Sequence, residues 1–274
     1  MSDSDEIRAL LGGSALVMAH PDDETLWASS ILARVGRVLL CYEEAPFLPT
    51  ISAGRRQALA AFPRPNVRSL GLPEAMSFDA AAWPEPVETE YGLELRQGAL
   101  PGFSAERYRT QFVALRDQLR GELAGCSSVI THNPWGEYGH EDHVQVFRAV
   151  AALAPELDFS VWVSCYCSNR SLGLMQRNLP GLGAATPPLS TDLALAAKLK
   201  ALYTANGCWT WPADYTWPAQ EVFYRWHGGT AATDSRVHPL NFIWMTPEPP
   251  RTTPLRRGLR ALRRRVGALR RARP

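Results

Sequence analysis

Two short stretches of the chain hold side chains whose types and spacing could do chemistry. The first is His20-Pro21-Asp22-Asp23-Glu24, which gathers an imidazole and three carboxylates. The second is Thr131-His132-Asn133-Pro134-Trp135-Gly136-Glu137-Tyr138-Gly139-His140-Glu141-Asp142-His143, with three further imidazoles and three further acids. Burying such groups unpaired is costly, so each cluster calls for a cation or a hydrogen-bond network. A catalytic zinc ion needs three N or O ligands and a position left for water. The two stretches together hold enough donors for one such site.

The elements that must position these residues can be read on either side of them. Ala15 to Met18 is a continuous apolar run, as expected of a buried parallel strand. Pro21 has no backbone N–H and disfavours the helical region for His20, so the chain must turn there. Ser128-Val129-Ile130 is a second short apolar stretch, and Val144, Val146, Phe147, Val150 and Ala151 recur after it at helical spacing. Both clusters therefore belong at strand-to-helix corners on one sheet edge, where open α/β sheets bind ligands. The expected fold is α/β: a three-layer, Rossmann-like arrangement with a mostly parallel sheet flanked by helices and the active site at the C-terminal ends of the strands. Leu26 to Ala33 is expected to continue as a helix, Arg37 to Tyr42 to form the second strand, and Glu106 to Leu123 a long amphipathic helix. Further strands are expected at Phe159 to Cys167 and Glu221 to Trp226, with a helix capped by Thr191 or Asp192 between them. Residues 74–104 form a proline- and glycine-punctuated insertion of the kind that makes binding loops.

The pair Ala-His-Pro-Asp-Asp-Glu and Gly-His-x-Asp-His, in this order and context, resembles the PIG-L/LmbE-like zinc-dependent N-acetylglucosamine deacetylase family, from about Ala15 to about Val150. The resemblance implies that His20, Asp23 and His143 are the metal ligands. Asp22 would be the general base facing a zinc-bound water. His140 and Tyr138 would stabilise the oxyanion, His140 could protonate the departing amine, and Asp142 would orient His140. Zinc is the expected ion, although iron(II) suits the same ligands. Arg55 and Arg56, in an arginine-containing helix like the family's, are candidates to hold a substrate hydroxyl or phosphate. Trp27 stands where many relatives carry small residues, and would reshape the substrate pocket. Glu141 replaces a frequent proline, which reads as a surface-level change. The implied substrate is an N-acetylated amino sugar, free or linked to a nucleotide, lipid or natural-product scaffold. Another metal-dependent amide or ester hydrolase, or a metal-binding glycan-binding protein without catalysis, remain the alternatives. Retention of both Asp22 and His140 argues against the last of these.

Charge is distributed unevenly. Residues 251–274 carry ten of the 29 Lys and Arg and no acid, which leaves the rest of the chain at 19 basic against 27 acidic residues. Leu255, Leu259, Leu262, Val266 and Leu269 punctuate this tail at helical steps, so it is expected to be a basic amphipathic or disordered extension to a domain spanning 1–250. Such a tail suits peripheral contact with an anionic membrane better than nucleic acid. The five cysteines are scattered without paired metal-site spacing, which favours buried structural thiols and a cytoplasmic setting. A place at the inner membrane surface would follow from the tail.

Overall fold

The structure, a computed structural model, describes residues 7, 10–96, 102–228 and 240–245. The elements that position the site are β1 (Ser14–Met18), α1 (Asp23–Trp27), β2 (Arg37–Glu44), α2 (Pro49–Ala60), β3 (Val67–Pro73), α3 (Ala105–Leu123), β4 (Ser128–Thr131), α4 (Glu141–Leu157), β5 (Ser160–Ser164), β6 (Leu182–Ala185), α5 (Leu193–Ala205) and β7 (Phe223–Trp226). They build a seven-stranded sheet in the order β3-β2-β1-β4-β5-β7-β6, flanked by helices. The run from β3 to β5 is parallel, and β7 is antiparallel to both β5 and β6. This is the mostly parallel α/β fold expected from the sequence.

β1 lies in the interior of the sheet, between β2 and β4, and every one of its residues is buried. Leu16 pairs with Val38 of β2 on one side and Ile130 of β4 on the other. From β1 the chain moves outward through β2 and β3, then returns to lay β4 against the opposite edge of β1. The order of strands thus reverses between β1 and β4, the switch point at which open sheets form a ligand crevice. Both chemical clusters follow these two strands.

The long helix α3 buries Tyr108, Phe112, Leu115, Leu119 and Leu123, as its periodicity predicts. Its N-cap is Ser104, whose side chain accepts the Arg107 N–H. α4 packs against α3 and hides Val144, Val146, Phe147, Val150 and Leu153. Each such side chain contributes about 1.5–3 kcal/mol relative to exposure.

Three expected elements are interrupted; the strand expected at Glu221 to Trp226 splits at Val222, and Gln220–Glu221 pairs with Leu189–Ser190 instead. The helix after the first motif stops at Trp27 instead of continuing to Ala33. The Ser30 N–H, which a longer helix would use internally, donates to Glu221 Oε2 at 2.8 Å. The Thr25 carbonyl is likewise taken, by Trp217 Nε1 and Ser29 Oγ, both at 2.5 Å. The expected strand at Phe159 to Cys167 breaks after Ser164, and Tyr166–Ser168 pairs instead with Asn241–Ile243. All five cysteines are buried free thiols. Among the described residues no helix is long and apolar enough to cross a membrane. The basic tail lies outside the described residues.

Candidate metal centre and active site

The turn after β1 gives the first motif its geometry. The Asp23 N–H donates to the His20 carbonyl at 3.1 Å, closing the turn over Pro21. The His20 N–H donates back to Asp23 Oδ2 at 2.7 Å, fixing that carboxylate. Asp22 takes the strain, with φ at 113°, a region a non-glycine residue enters at a cost of about 1–3 kcal/mol. Such outliers cluster where a side chain must be aimed. Here the turn separates the Asp22 and Asp23 carboxylates.

The second motif is set by a loop and a helix cap. Gly136 lies at φ 67°, and a Cβ there would meet the His140 carbonyl oxygen at 2.5 Å. Beyond it His140 caps α4, its Nδ1 accepting the Asp142 N–H at 3.1 Å. That bond leaves the ring proton on Nε2. Burial, with His143 and His20 nearby, holds the His140 imidazole well below its usual pKa, so it is neutral.

The two motifs meet on Asp23 Oδ2. His20 Nδ1 lies 3.2 Å from that oxygen and His143 Nε2 also 3.2 Å. Two ligands held 2.0–2.1 Å from a tetrahedral ion stand roughly 3.3 Å apart, so these atoms are spaced as ligands of one ion would be. His143 Nε2 is buried and has no hydrogen-bond partner among the described residues. The His20, Asp23 and His143 donors lie within 4.8 Å of one another, as do those of two further sets, His20-His140-Asp142 and His132-Glu137-His143. The further sets are largely satisfied from within. Glu137 Oε2 faces His132 Nδ1 at 2.9 Å and His143 Nδ1 at 2.8 Å, and Oε1 accepts from Ser164 Oγ at 2.5 Å and Asn133 N at 3.0 Å. Asp142 Oδ1 accepts from Ser77 Oγ at 2.6 Å. Among the described residues, His143 turns its occupied Nδ1 to Glu137 and its open Nε2 to Asp23, so the unpartnered lone pair faces the set His20, Asp23 and His143.

Electrostatics points the same way. Burial opposes charge on His20, yet Glu74, Asp142 and Asp23 outweigh it and raise the imidazole to about 10. Asp23 is held well below the usual carboxylate range against its burial by His143, His132 and His20. The cluster is thus short of positive charge, which suits a cation. Asp22 is pushed up to about 7 by burial and by the charge of Asp23.

The structure brings His20, Asp22, Asp23, Tyr138, His140, Asp142 and His143 together. The His140 ring centroid lies 4.9 Å from that of His20 and 4.7 Å from that of His143, and Tyr138 is edge-on to His143 at 5.4 Å. Other expectations need correction. The Asp142 carboxylate faces His20 Nε2 at 3.3 Å, and reaches His140 only through its backbone N–H. Trp27 is fully buried and donates from Nε1 to Asp23 Oδ1 at 2.9 Å, so it supports that carboxylate and presents no face to a substrate. Arg55 is buried in an ion pair with Glu74 and donates to the Tyr42 carbonyl at 3.3 Å. Arg56 is half-exposed, 3.5 Å from Glu44. Glu141 is fully buried and not a surface residue. It accepts from Asp79 N at 3.2 Å, Ala81 N at 2.9 Å and Trp83 Nε1 at 2.9 Å, holding the insertion against the second motif. Through that hold Phe78 packs on His140, with ring centroids 5.1 Å apart.

Several site residues were not legible in the chain. Glu74 and Ser77 open the insertion, and His132 and Glu137 lie inside the second motif. Thr210 belongs to the late aromatic stretch and donates to Asp22 Oδ2 from its hydroxyl at 2.7 Å. Tyr203 donates to Glu24 Oε1 at 2.8 Å. For His132 and Glu137 there was a signal: a histidine and an acid directly after a buried strand, beside a predicted ligand.

Comparison with known proteins places these features. No family model matches the chain. It is 30% identical over 172 residues to the 1D-myo-inositol 2-acetamido-2-deoxy-alpha-D-glucopyranoside deacetylase of Segniliparus rotundus, covering 55% of this chain and 51% of that protein. The chain thus spans about half the length of the curated relative it matches. Among solved structures, a deacetylase–bog complex from the biosynthesis pathway of teicoplanin aligns with a TM-score of 0.53 at 15% identity, over 81% of this chain and 100% of that one. A zinc-inhibited form of teicoplanin deacetylase aligns at 0.51, also at 15% identity and with the same coverage. At that identity the likeness is one of fold. In its paired motifs, its sequence and its fold, the chain resembles the PIG-L/LmbE-like N-acetylglucosamine deacetylase family.

Proposed function

We propose that the chain is a metal-dependent hydrolase that removes the N-acetyl group from an amino-sugar-containing substrate. The observation that carries this reading is the convergence of His20, Asp23 and His143 on one buried point, with the unpartnered Nε2 of His143 among the donors. These three residues would hold the ion, zinc by preference, with iron(II) suited to the same ligands. A divalent ion there supplies Lewis acidity, lowering the pKa of water towards ~7 and polarising an amide carbonyl.

The remaining roles belong to the chain's own groups. Asp22 accepts a proton from the attacking water as the new C–O bond forms. The same proton then passes to the amine nitrogen as the C–N bond breaks. His140, neutral and protonated on Nε2, donates a hydrogen bond to the carbonyl oxygen as charge develops on it. Tyr138 packs edge-on against both imidazoles and lines the same site. Asp142 orients His20 from behind. The named substrate of the curated relative, a 2-acetamido sugar on inositol, supports an N-acetylglucosamine-type substrate with its linkage open.

The test is amine release by metal-loaded wild type and Asp22→Asn. The panel is free N-acetylglucosamine and its inositol, nucleotide, lipid and glycopeptide conjugates. Wild type should turn over at least one compound, and Asp22→Asn should be slower by about 10²–10⁴-fold at equal metal content. Stoichiometric metal without turnover of any compound would favour a glycan-binding protein instead.

A further inference from the structure

We infer that Thr210 is a positioning residue for the Asp22 carboxylate. The inference rests on Asp22 being the base, as proposed above, and goes beyond it by naming what holds that base. Asp22 sits on a strained turn, and its own helix supplies no side-chain cap bond to it. Its carboxylate is held from a segment 188 positions away: Thr210 Oγ1 donates to Oδ2 at 2.7 Å and Thr210 N to the same oxygen at 3.2 Å. With both donors on Oδ2, the lone pairs of Oδ1 are left for a proton.

The segment that presents Thr210 is braced for the task. Tyr203 is bonded to Glu24, and Trp217 Nε1 to the Thr25 carbonyl, so residues 203–217 grip Asp22, Glu24 and Thr25 of one turn. Trp211 packs on Trp27 at 5.1 Å and on Tyr138 at 5.0 Å, tying the segment to both motifs. Lys200 lies over Trp209 at 5.5 Å and Trp217 at 5.7 Å and donates to the Ala213 carbonyl at 2.7 Å, which stiffens the loop from outside. Thr210 itself is an exposed residue that turns its hydroxyl inward. Replacing it therefore removes a bond and little packing.

Thr210→Val keeps the shape and the backbone N–H and deletes the hydroxyl. With the inositol glycoside of N-acetylglucosamine as probe, kcat should fall by roughly ten- to a hundredfold, as a mis-aimed base predicts. KM, bound metal and melting temperature should stay near wild type, and Thr210→Ser should restore kcat. Crystal structures of wild type and Thr210→Val give a reading that needs no turnover: the Asp22 carboxylate should leave its place in the variant. An unmoved carboxylate, an unchanged or raised kcat, or a loss that serine does not restore would each overturn the inference. Asp22→Asn assayed alongside separates the two levels. If Asp22→Asn retains wild-type activity, the reading of Asp22 as base fails. If it is inactive while Thr210→Val is not, only the role of Thr210 falls.

Discussion

Asp23 Oδ2 shows how one atom organises the site. It accepts the His20 N–H, faces two imidazole nitrogens at 3.2 Å, and belongs to a carboxylate steadied from its other oxygen by Trp27. Behind it Glu137 settles the tautomers. By facing Nδ1 of both His132 and His143, it accepts a hydrogen bond from each Nδ1–H and leaves each Nε2 as an acceptor. His132 uses its Nε2 on the Ala19 N–H at 2.8 Å, which stitches the end of β4 to the end of β1, and His143 leaves its own without a hydrogen-bond partner among the described residues. His132 and His143 together overcome the burial of Glu137 and lower its carboxyl to about 2, so it is an anion throughout the neutral range. Glu137→Gln would remove the anion and turn an amide donor either on the two imidazole Nδ1–H groups or on the Asn133 N–H and Ser164 Oγ. Its metal affinity should fall by about 10–100-fold in a competition titration, and an unchanged affinity would show that the tautomer of His143 is set elsewhere. The motif residues were legible because ligand and base types stood at short spacing. Trp27 was not, since bulk next to a motif reads as a pocket wall until its N–H is seen donating to Asp23.

At the scale of elements, the insertion and the late segment complete what two strand ends begin. Residues 74–83 bring Glu74 to His20 and Arg55, Ser77 to Asp142 and Phe78 to His140. Glu141 fastens that stretch. Burial pushes its carboxyl up to about 7, against Arg170 and the three donors that favour the charged form. Glu141→Ala would strand those buried donors and should cost about 1–3 kcal/mol in urea unfolding, with faster proteolysis within residues 79–96. Equal stability would mean the insertion is held by its apolar contacts alone. Strands and helices were legible from periodicity, because burial repeats at the period of the element. The stopped helix at Trp27 and the roles of Tyr203 and Thr210 were not, because contacts across nearly two hundred positions leave no local pattern. Glu141 was misread for a related reason: an acid on a helix's first turn is ordinarily solvated, and only the folded insertion covers it.

At the scale of the whole molecule, a buried acid just before β7 ties together segments distant in the chain. Glu221, just before β7, accepts from Ser30 N at 2.8 Å and Tyr166 OH at 2.7 Å, linking the segment after β1 to the far side of the sheet. Burial raises its carboxyl above the usual range. The folded protein therefore holds a proton that the unfolded chain releases above about pH 4.3. Stability from this group is full below that pH and is lost as pH rises through the folded value. Against Glu221→Gln, wild type should lose unfolding free energy as pH rises out of the ordinary carboxylate range. A difference constant with pH would contradict a raised Glu221. The same sheet places its reversal of strand order beside both motifs, so fold and chemistry were readable together from the two strand ends.

The most direct test of a metal-dependent deacetylase centred on Asp23 is a titration of chelated protein with zinc while acetate release from the substrate found in the amine-release panel is followed. Activity should rise to a plateau at one equivalent, and His143→Ala should neither bind the ion tightly nor gain activity. Turnover that is indifferent to chelation, or that survives in His143→Ala at full rate, would contradict the metal centre and the chemistry built on it.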